Sequence, residues 1–464
     1  MEPITLSLKT NNSYVPLRAE QLAVYIQSKV LKATDPERNI YYLIYYKDQF
    51  LNIVKDKGLS PDCHIKKAFE KGNLIASPHP LILTLTSPEK PIKRQSFQQL
   101  FKSLKKSYTP QELALIATYF DSVIEKEKLF KYIQTLYYQH RRDGKMFAGY
   151  RILQILSEQM PENEWVWKAK NEVASNRYHN LYDTHDETLF KKDPIYYEKI
   201  LFSQRSKSDV FHELFSLLES QGRWIDQIAL STIHLISSPT KEDYTAFKQQ
   251  CELHFNDTGT LSSLEYLYTS IPEFEPLQQD LLTLYLQTDN FVKVMALLHK
   301  HSLVLSSSQE KKMMRLLENF NPGNESINIH HLNKFLLPLF RTHPERANTI
   351  LYQCIEILIV NEGINGVIEW LHPLEIIPKA RPAIQKAKQI KSLINDLDNQ
   401  DQLGELYYHF RYLDGALECF SWEMELKEND PSPVQWLAKI YNEKGMAEEA
   451  KAYQQLYVSL TADA

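Results

Sequence analysis

The stretch that decides the fold lies late in the chain: LGELYYHFRYLDGA over residues 403–416, then LAKIYNEKGMAEEA over 437–450. Leu403, Leu406, Tyr407 and Ala416 stand against Leu437, Ile440, Tyr441 and Ala450, each pair 34 residues apart. Gly404 stands against Ala438, small against small. In each copy Leu and Tyr four apart share one face of a first helix. The alanine, on a second helix, lets the two backbones come close. Turns are expected at Asp414-Gly415 in the first copy and near Gly445 in the second.

Outward from this repeat, helical patterning reaches back to about residue 95, with helices at the spacing of antiparallel pairs. Thr109-Pro110-Gln111-Glu112 is a helix start: threonine caps free amide groups, proline presets φ, and glutamate reaches back. Ser307-Ser308-Gln309-Glu310 and Ser432-Pro433-Val434-Gln435 repeat that chemistry. Loops are expected at Ser237–Lys241, Asn319–Ser326 and Glu428–Pro433. The first 90 residues differ. Ile4 to Leu8 alternates like a half-buried strand, Asn11-Asn12 suits a turn, and Tyr14 to Leu17 suits a second strand. Ala19 to Leu31 has helical spacing at Leu22, Ile26 and Val30, and Leu81 to Thr86 reads as a strand flanked by prolines. The expectation is a mainly α chain: a small mixed α/β module over 1–90 and a helical repeat region over 95–464. The clearest units are at 400–464, with a degenerate copy at 129–162 carried by Leu136, Gly144, Gly149, Leu153 and Pro161.

The C-terminal residues resemble the tetratricopeptide repeat, a 34-residue helix–turn–helix unit. Phe420 and Pro431 fit its later positions. Val434 stands where the family has a first-helix Trp, with Trp436 two residues on. Weaker echoes are Leu281 with Tyr285 and Leu298, and turns at Gly222 and Gly363. The resemblance implies an α-solenoid of TPR-like antiparallel helix pairs, with a groove lined by first helices. It places Glu405, Tyr408, His409, Lys439 and Asn442 on that face in the C-terminal units, and Tyr138, Arg141 and Arg142 in the 129–162 unit. The Arg141-Arg142 pair has the donors to clamp a carboxylate or phosphate.

Only 12 of 464 residues are glycine. That scarcity counts against Rossmann and P-loop folds, which need glycine where backbone approaches phosphate. G-x-G-x-x-G and G-x-S-x-G are absent, and the P-loop spacing at Gly144 and Gly149 is followed by Tyr150-Arg151. Cys63, Cys251, Cys354 and Cys419 are far apart, without a Cys-x-x-Cys pair, so they read as reduced, small apolar groups. His179, Asp183, His185, Asp186 and Glu187 form a polar cluster that could hold a metal or could be solvated surface, and His330-His331 lacks a third ligand. No apolar run reaches the length of a membrane span and no signal peptide is visible, so a cytoplasmic protein is expected.

Positive charge gathers toward the N-terminal third. Residues 90–106 carry Lys90, Lys93, Arg94, Lys102, Lys105 and Lys106 without an acid, around an apolar stripe of Phe97, Leu100, Phe101 and Leu104. The stripe can be core. The basic face can meet nucleic acid, through Lys93, Arg94, Lys102, Lys105 and Lys106, or an acidic protein or membrane surface. The expected function is non-enzymatic, without cofactor or metal: a scaffold that binds a partner protein or peptide in the repeat groove. The alternatives are a peptide- or protein-responsive regulator whose basic N-terminal part contacts nucleic acid, and an enzyme using the His179–Glu187 cluster.

Overall fold

The structure is a computed structural model of the chain. It describes all residues except 1–2, 11–12, 87–90, 173–177, 180, 183–186, 302, 320–331 and 463–464. The chain divides into two compact units, Met1–Gln278 and Gln279–Ala464.

The first unit opens with a mixed sheet of β1 (Thr5–Lys9), β2 (Tyr14–Tyr25), β3 (Ser28–Thr34), β4 (Ile40–Tyr46), β5 (Gln49–Lys55), β6 (Asn73–Ala76) and β7 (Ile92–Lys93). Its order is β5-β4-β3-β2-β1-β7, with β6 pairing the far half of β2. All pairs are antiparallel except β1 with β7. The strands expected from Ile4 and from Tyr14 are present. The helix expected over Ala19–Leu31 is instead the β2–β3 hairpin, with Leu22 opposite Leu31 and Ala23 opposite Val30. Consecutive residues Leu22, Ala23 and Val24 are all buried, as are Leu43 to Tyr46. Both sheet faces are covered there, which removes the alternation that marks a strand. The opposite correction applies at Leu81–Thr86, which lies in the helix α2 (Pro80–Thr86) rather than a strand, with the Thr84 and Thr86 hydroxyls donating back to Pro80 and Ile82 carbonyls.

The helices of this unit are α1 (His64–Lys71), α2, α3 (Phe97–Leu104), α4 (Pro110–Thr118), α5 (Lys126–Arg142), α6 (Met146–Gln159), α7 (Glu164–Lys170), α8 (Glu187–Lys192), α9 (Pro194–Ser203), α10 (Ser208–Ser220), α11 (Trp224–Ser237), α12 (Lys241–His254) and α13 (Asp257–Ser270). The α4 start has the expected capping box: the Thr109 hydroxyl accepts from the Glu112 amide while the Glu112 carboxylate accepts from the Thr109 amide. The other Glu112 oxygen accepts from the Tyr46 hydroxyl on β4 at 2.9 Å. The Asn52 amide donates to the Gln95 carbonyl at 2.8 Å. One apolar core joins Val30, Ile44 and Tyr46 to Leu113, Ile133 and Leu153. Side chains therefore bridge the seam expected between residues 90 and 95.

A buried charge cluster ties the sheet to α9 and α11. Lys29 on β3, Glu198 on α9, and Arg223 and Asp226 at the start of α11 are all 2 % exposed or less. Lys29 Nζ donates to Asp226 at 2.6 Å, contacts Asp48 at 2.8 Å and donates to the Lys47 carbonyl at 3.0 Å, so its three donors are used. Arg223 donates to Glu198 at 2.6 Å, to Asp226 at 2.8 Å and to the Ile26 carbonyl at 2.8 Å. Burial alone would raise the Asp226 pKa; Arg223 and Lys29 outweigh it and hold the carboxyl below its usual 3.8. The first unit should lose about 3 kcal/mol on Asp226→Asn, because two buried cations each lose one of their two carboxylate partners. The depressed carboxyl contributes stability that is present above pH 3.8 and lost as pH falls through its folded value. Urea unfolding should show the loss at neutral pH and a shallower acid dependence in the variant; coincident curves at neutral pH would contradict the role.

One turn recurs between antiparallel helices in both units. The second unit contains α14 (Glu275–Gln287, which begins in the first), α15 (Phe291–Lys300), α16 (Ser307–Asn319), α17 (Leu332–Thr342), α18 (Pro344–Leu371), α19 (Arg381–Leu393), α20 (Gln400–His409), α21 (Leu413–Leu426), α22 (Pro431–Glu443) and α23 (Ala447–Ala462). Gly144, Gly222, Asp289, Arg411 and Gly445 have φ of +72°, +66°, +52°, +60° and +77°. In every case the next amide donates to the carbonyl five residues back, at 2.9–3.0 Å: Lys145 to His140, Arg223 to Leu218, Asn290 to Tyr285, Tyr412 to Tyr407, Met446 to Tyr441. This is the Schellman closure of a helix. The following helix begins two residues after the left-handed residue in all five. The turn expected at Asp414-Gly415 therefore lies at Arg411, and Gly415 is helical. Gly363 is a different device, a kink inside α18. Two caps also move: Asp430 caps α22 in place of Ser432, and Ser306 pairs with Gln309 before α16. Arg411→Gly should stabilise the α20–α21 pair by roughly 1 kcal/mol, since relief of the left-handed penalty exceeds glycine's unfolded-state entropy. A lowered melting temperature would show that the Arg411 side chain has a further role.

Candidate functional site: a groove across the C-terminal helix pairs

The C-terminal pairs follow the repeat spacing at Leu403/Leu437 and Ala416/Ala450, buried in both copies, while Leu406 and Tyr441 are only half-buried where their counterparts Ile440 and Tyr407 are buried. A Cβ added at Gly404 would lie 3.0 Å from the Phe420 ring, so the α20 backbone touches α21 there. Phe420 stacks on Trp436 of α22 with centroids 5.2 Å apart and planes 5° from parallel. That stack joins one pair to the next and fixes the indole.

The fixed indole forms one side of a groove of about 670 Å³. Its walls are Lys386, Gln389, Ser392 and Leu393 of α19, Gln402, Glu405, Leu406, Tyr408 and His409 of α20, and Trp436. The Tyr408 ring meets Trp436 edge-on at 5.0 Å. Lys439 Nζ sits 4.5 Å from the Tyr408 centroid and 4.6 Å from that of Trp436, a cation–π contact with both rings. The Tyr408 hydroxyl donates to Glu443. Lys386 Nζ meets His409 Nε2. Burial first, then the Lys386 charge, pushes the His409 pKa below 6.5, so the neutral ring accepts from the ammonium. The groove thus offers aromatic faces, amide and hydroxyl hydrogen-bonding groups, a carboxylate and two ammonium groups.

Of the residues placed on the groove face by sequence, Glu405, Tyr408 and His409 line this recess. Lys439 covers its aromatic wall. Asn442 is exposed on α22 but is not part of the lining. Tyr138, Arg141 and Arg142 lie in the first unit. There the Trp165 indole donates to the Tyr138 hydroxyl at 3.0 Å. Arg141 is already engaged, donating to Glu172 at 2.6 Å and to the Tyr137 hydroxyl at 3.0 Å. Tyr137 and Glu172 raise its pKa further. Arg142 is exposed and forms no ion pair among the described residues. The α19 wall was missed: RPAIQKAKQIKSL carries no repeat mark, and only its position before the first clear unit could have pointed to it.

The polar cluster near residue 180 is only partly visible. His179 Nδ1 lies 3.2 Å from the Tyr150 hydroxyl; Asp183, His185 and Asp186 lie outside the described residues, as do His330-His331 and the Asn11-Asn12 turn. The side chain of Glu187 is likewise not described. All four cysteines are buried free thiols whose pKa burial raises, to about 12 for Cys251, Cys354 and Cys419. Among the described residues no helix is long and apolar enough to cross a membrane.

No family model and no curated protein matches the sequence. Among solved structures the chain is similar to one described as "Structure of Naa15/Naa10 bound to HypK-THB", with 12 % identity and a TM-score of 0.20. The match covers 79 % of this chain and 60 % of that one, so this chain spans less than two thirds of that protein's length. At this TM-score the likeness carries no inference about function or partner.

The groove geometry depends on the close α20–α21 approach. Ala416→Leu should cost about 1–3 kcal/mol by overpacking, read as an earlier chemical unfolding transition of the second unit. An unchanged transition would contradict the pairing.

Proposed function

We propose that this chain is a non-catalytic scaffold that holds a segment of a partner protein in the groove between α19, α20 and α22. The observation that carries the reading is the Phe420–Trp436–Tyr408 arrangement. Two aromatic side chains are fixed before any partner arrives, so little ordering entropy opposes binding. Aromatic anchors in a partly desolvated recess are the side chains that dominate interface energies. Glu405, Gln389 and Gln402 supply polar contacts that set orientation. A place within the tetratricopeptide-like repeat class, and a cytoplasmic setting suited to four unpaired thiols, belong to the same proposal.

The test uses the full chain, because removing residues 1–95 would strip Tyr46 and Asn52 from a shared core. The partner retained by the immobilised wild-type protein is identified, purified and titrated against Tyr408→Ala and Glu405→Lys. The expected result is at least about a tenfold weaker affinity for each variant, with unchanged melting. Wild-type affinity in both variants would remove the groove from the account.

A further inference from the structure

A second recess lies in the first unit, where α3, α4 and α5 meet. It measures about 470 Å³, the size of a small-ligand pocket. Its surface is mainly Phe97 and Phe101 from α3, Val123 and Ile124 from the α4–α5 connection, and Leu129 and Tyr132 from α5. The floor is rigid: Phe120, fully buried, holds Phe97 edge-on at 5.2 Å, and Phe101 meets Tyr132 at 4.9 Å. Val123 reaches solvent with 40 % of its surface exposed. The apolar stripe of the basic segment is therefore split. Leu100 and Leu104 are core, while Phe97 and Phe101 line an open recess.

Two charged side chains line the recess itself, Glu125 and Lys128, and they pair with each other at 2.9 Å; the excess positive charge lies on the helices that border it. Lys102, Lys105 and Lys106 stand exposed on and just after α3, and Lys126 and Lys131 stand exposed on α5. None of these five forms an ion pair with a described residue. Of the nearby acids, Glu112 caps α4, Asp121 accepts from the His64 amide and Gln159, and Glu125 pairs with Lys128, while Glu127 stands exposed on α5 among lysines that outnumber it. Lys105 Nζ lies 5.9 Å from the Tyr132 centroid, at the edge of the recess.

We propose that this recess binds an acidic amphipathic segment of a partner protein, with bulky apolar side chains in the Phe97–Tyr132 floor and carboxylates on the lysine rim. Charge complementarity selects the acidic partner, and a row of apolar anchors between two helices is how a groove takes an amphipathic helix. A nucleic-acid backbone would use the lysines and leave the aromatic floor exposed. A bilayer face is flat and meets a protruding apolar surface, not a recess. The site shares no residue with the C-terminal groove and stands or falls apart from it.

The test measures binding of fluorescein-labelled synthetic helices to the full-length protein. One carries a Leu/Phe face flanked by Glu; a second keeps that face with Lys in place of Glu; a third keeps Glu with Ser in place of Leu and Phe. Duplex DNA and phosphatidylglycerol vesicles are run alongside. The acidic amphipathic helix is expected to bind at least about tenfold tighter than both control helices. Val123→Glu and the Lys102→Glu, Lys105→Glu double variant should each weaken it to a similar degree without changing the melting temperature, while Tyr408→Ala leaves it unaffected. Equal binding of the Lys-flanked helix, no peptide binding, binding of DNA or vesicles alone, or wild-type affinity in Val123→Glu would overturn the proposal.

Discussion

The first unit depends on a buried quartet of charges. Lys29, Asp226, Arg223 and Glu198 carry two positive and two negative charges in a site closed to water, where an unpaired ion would be severely destabilising. Each charge therefore needs the others in place. Lys29 belongs to the sheet, Glu198 to one helix, and Arg223 and Asp226 to the start of another. The quartet also holds the β2–β3 turn: Arg223 donates to the Ile26 carbonyl and Gln27 donates to Glu198 at 2.7 Å. Ile26 has a φ of +56°, a conformation that a β-branched residue adopts only under constraint. The sheet and the helices thus specify one another through charge as well as through apolar burial.

The same residue links this cluster to the repeat architecture. Arg223 follows Gly222, the left-handed residue of one of the five Schellman turns, and its amide closes that turn. The turn sets where the next helix begins, and so where Asp226 stands. In the second unit the equivalent turns at Arg411 and Gly445 set the α20–α21 and α22–α23 pairs. Close packing at Gly404 and Ala416 then brings Phe420 against Trp436. A groove with fixed aromatic walls follows from local backbone rules and two small residues, without any metal-ligand or nucleophile motif.

Much of this was readable from sequence. The tetratricopeptide resemblance pointed to Glu405, Tyr408 and His409, which line the recess, and the Thr109 capping box was found where its four residues predict it. The failures have physical causes. The β2–β3 hairpin is buried on both faces, so Leu22, Ala23 and Val24 show no period of two. Leu81–Thr86 is too short for periodicity to separate helix from strand. Two of the five recurring turns carry Asp289 and Arg411 instead of glycine, so a search for glycine passes over them. Trp436 was visible as a displaced family residue, but its stack on Phe420 was not. Arg141 looked like a free clamp because its partner, Glu172, is 31 residues away.

The central claim is that a partner sits in the recess bounded by α19, α20 and Trp436. A photo-crosslinking amino acid placed at Gln389, on the α19 wall, tests it most directly, with the exposed Leu253 of the first unit as the control position. The account predicts that illumination in cells yields one discrete adduct from position 389 and none of that species from position 253. The same adduct from both positions, or none from 389 while the partner still co-purifies, would contradict it.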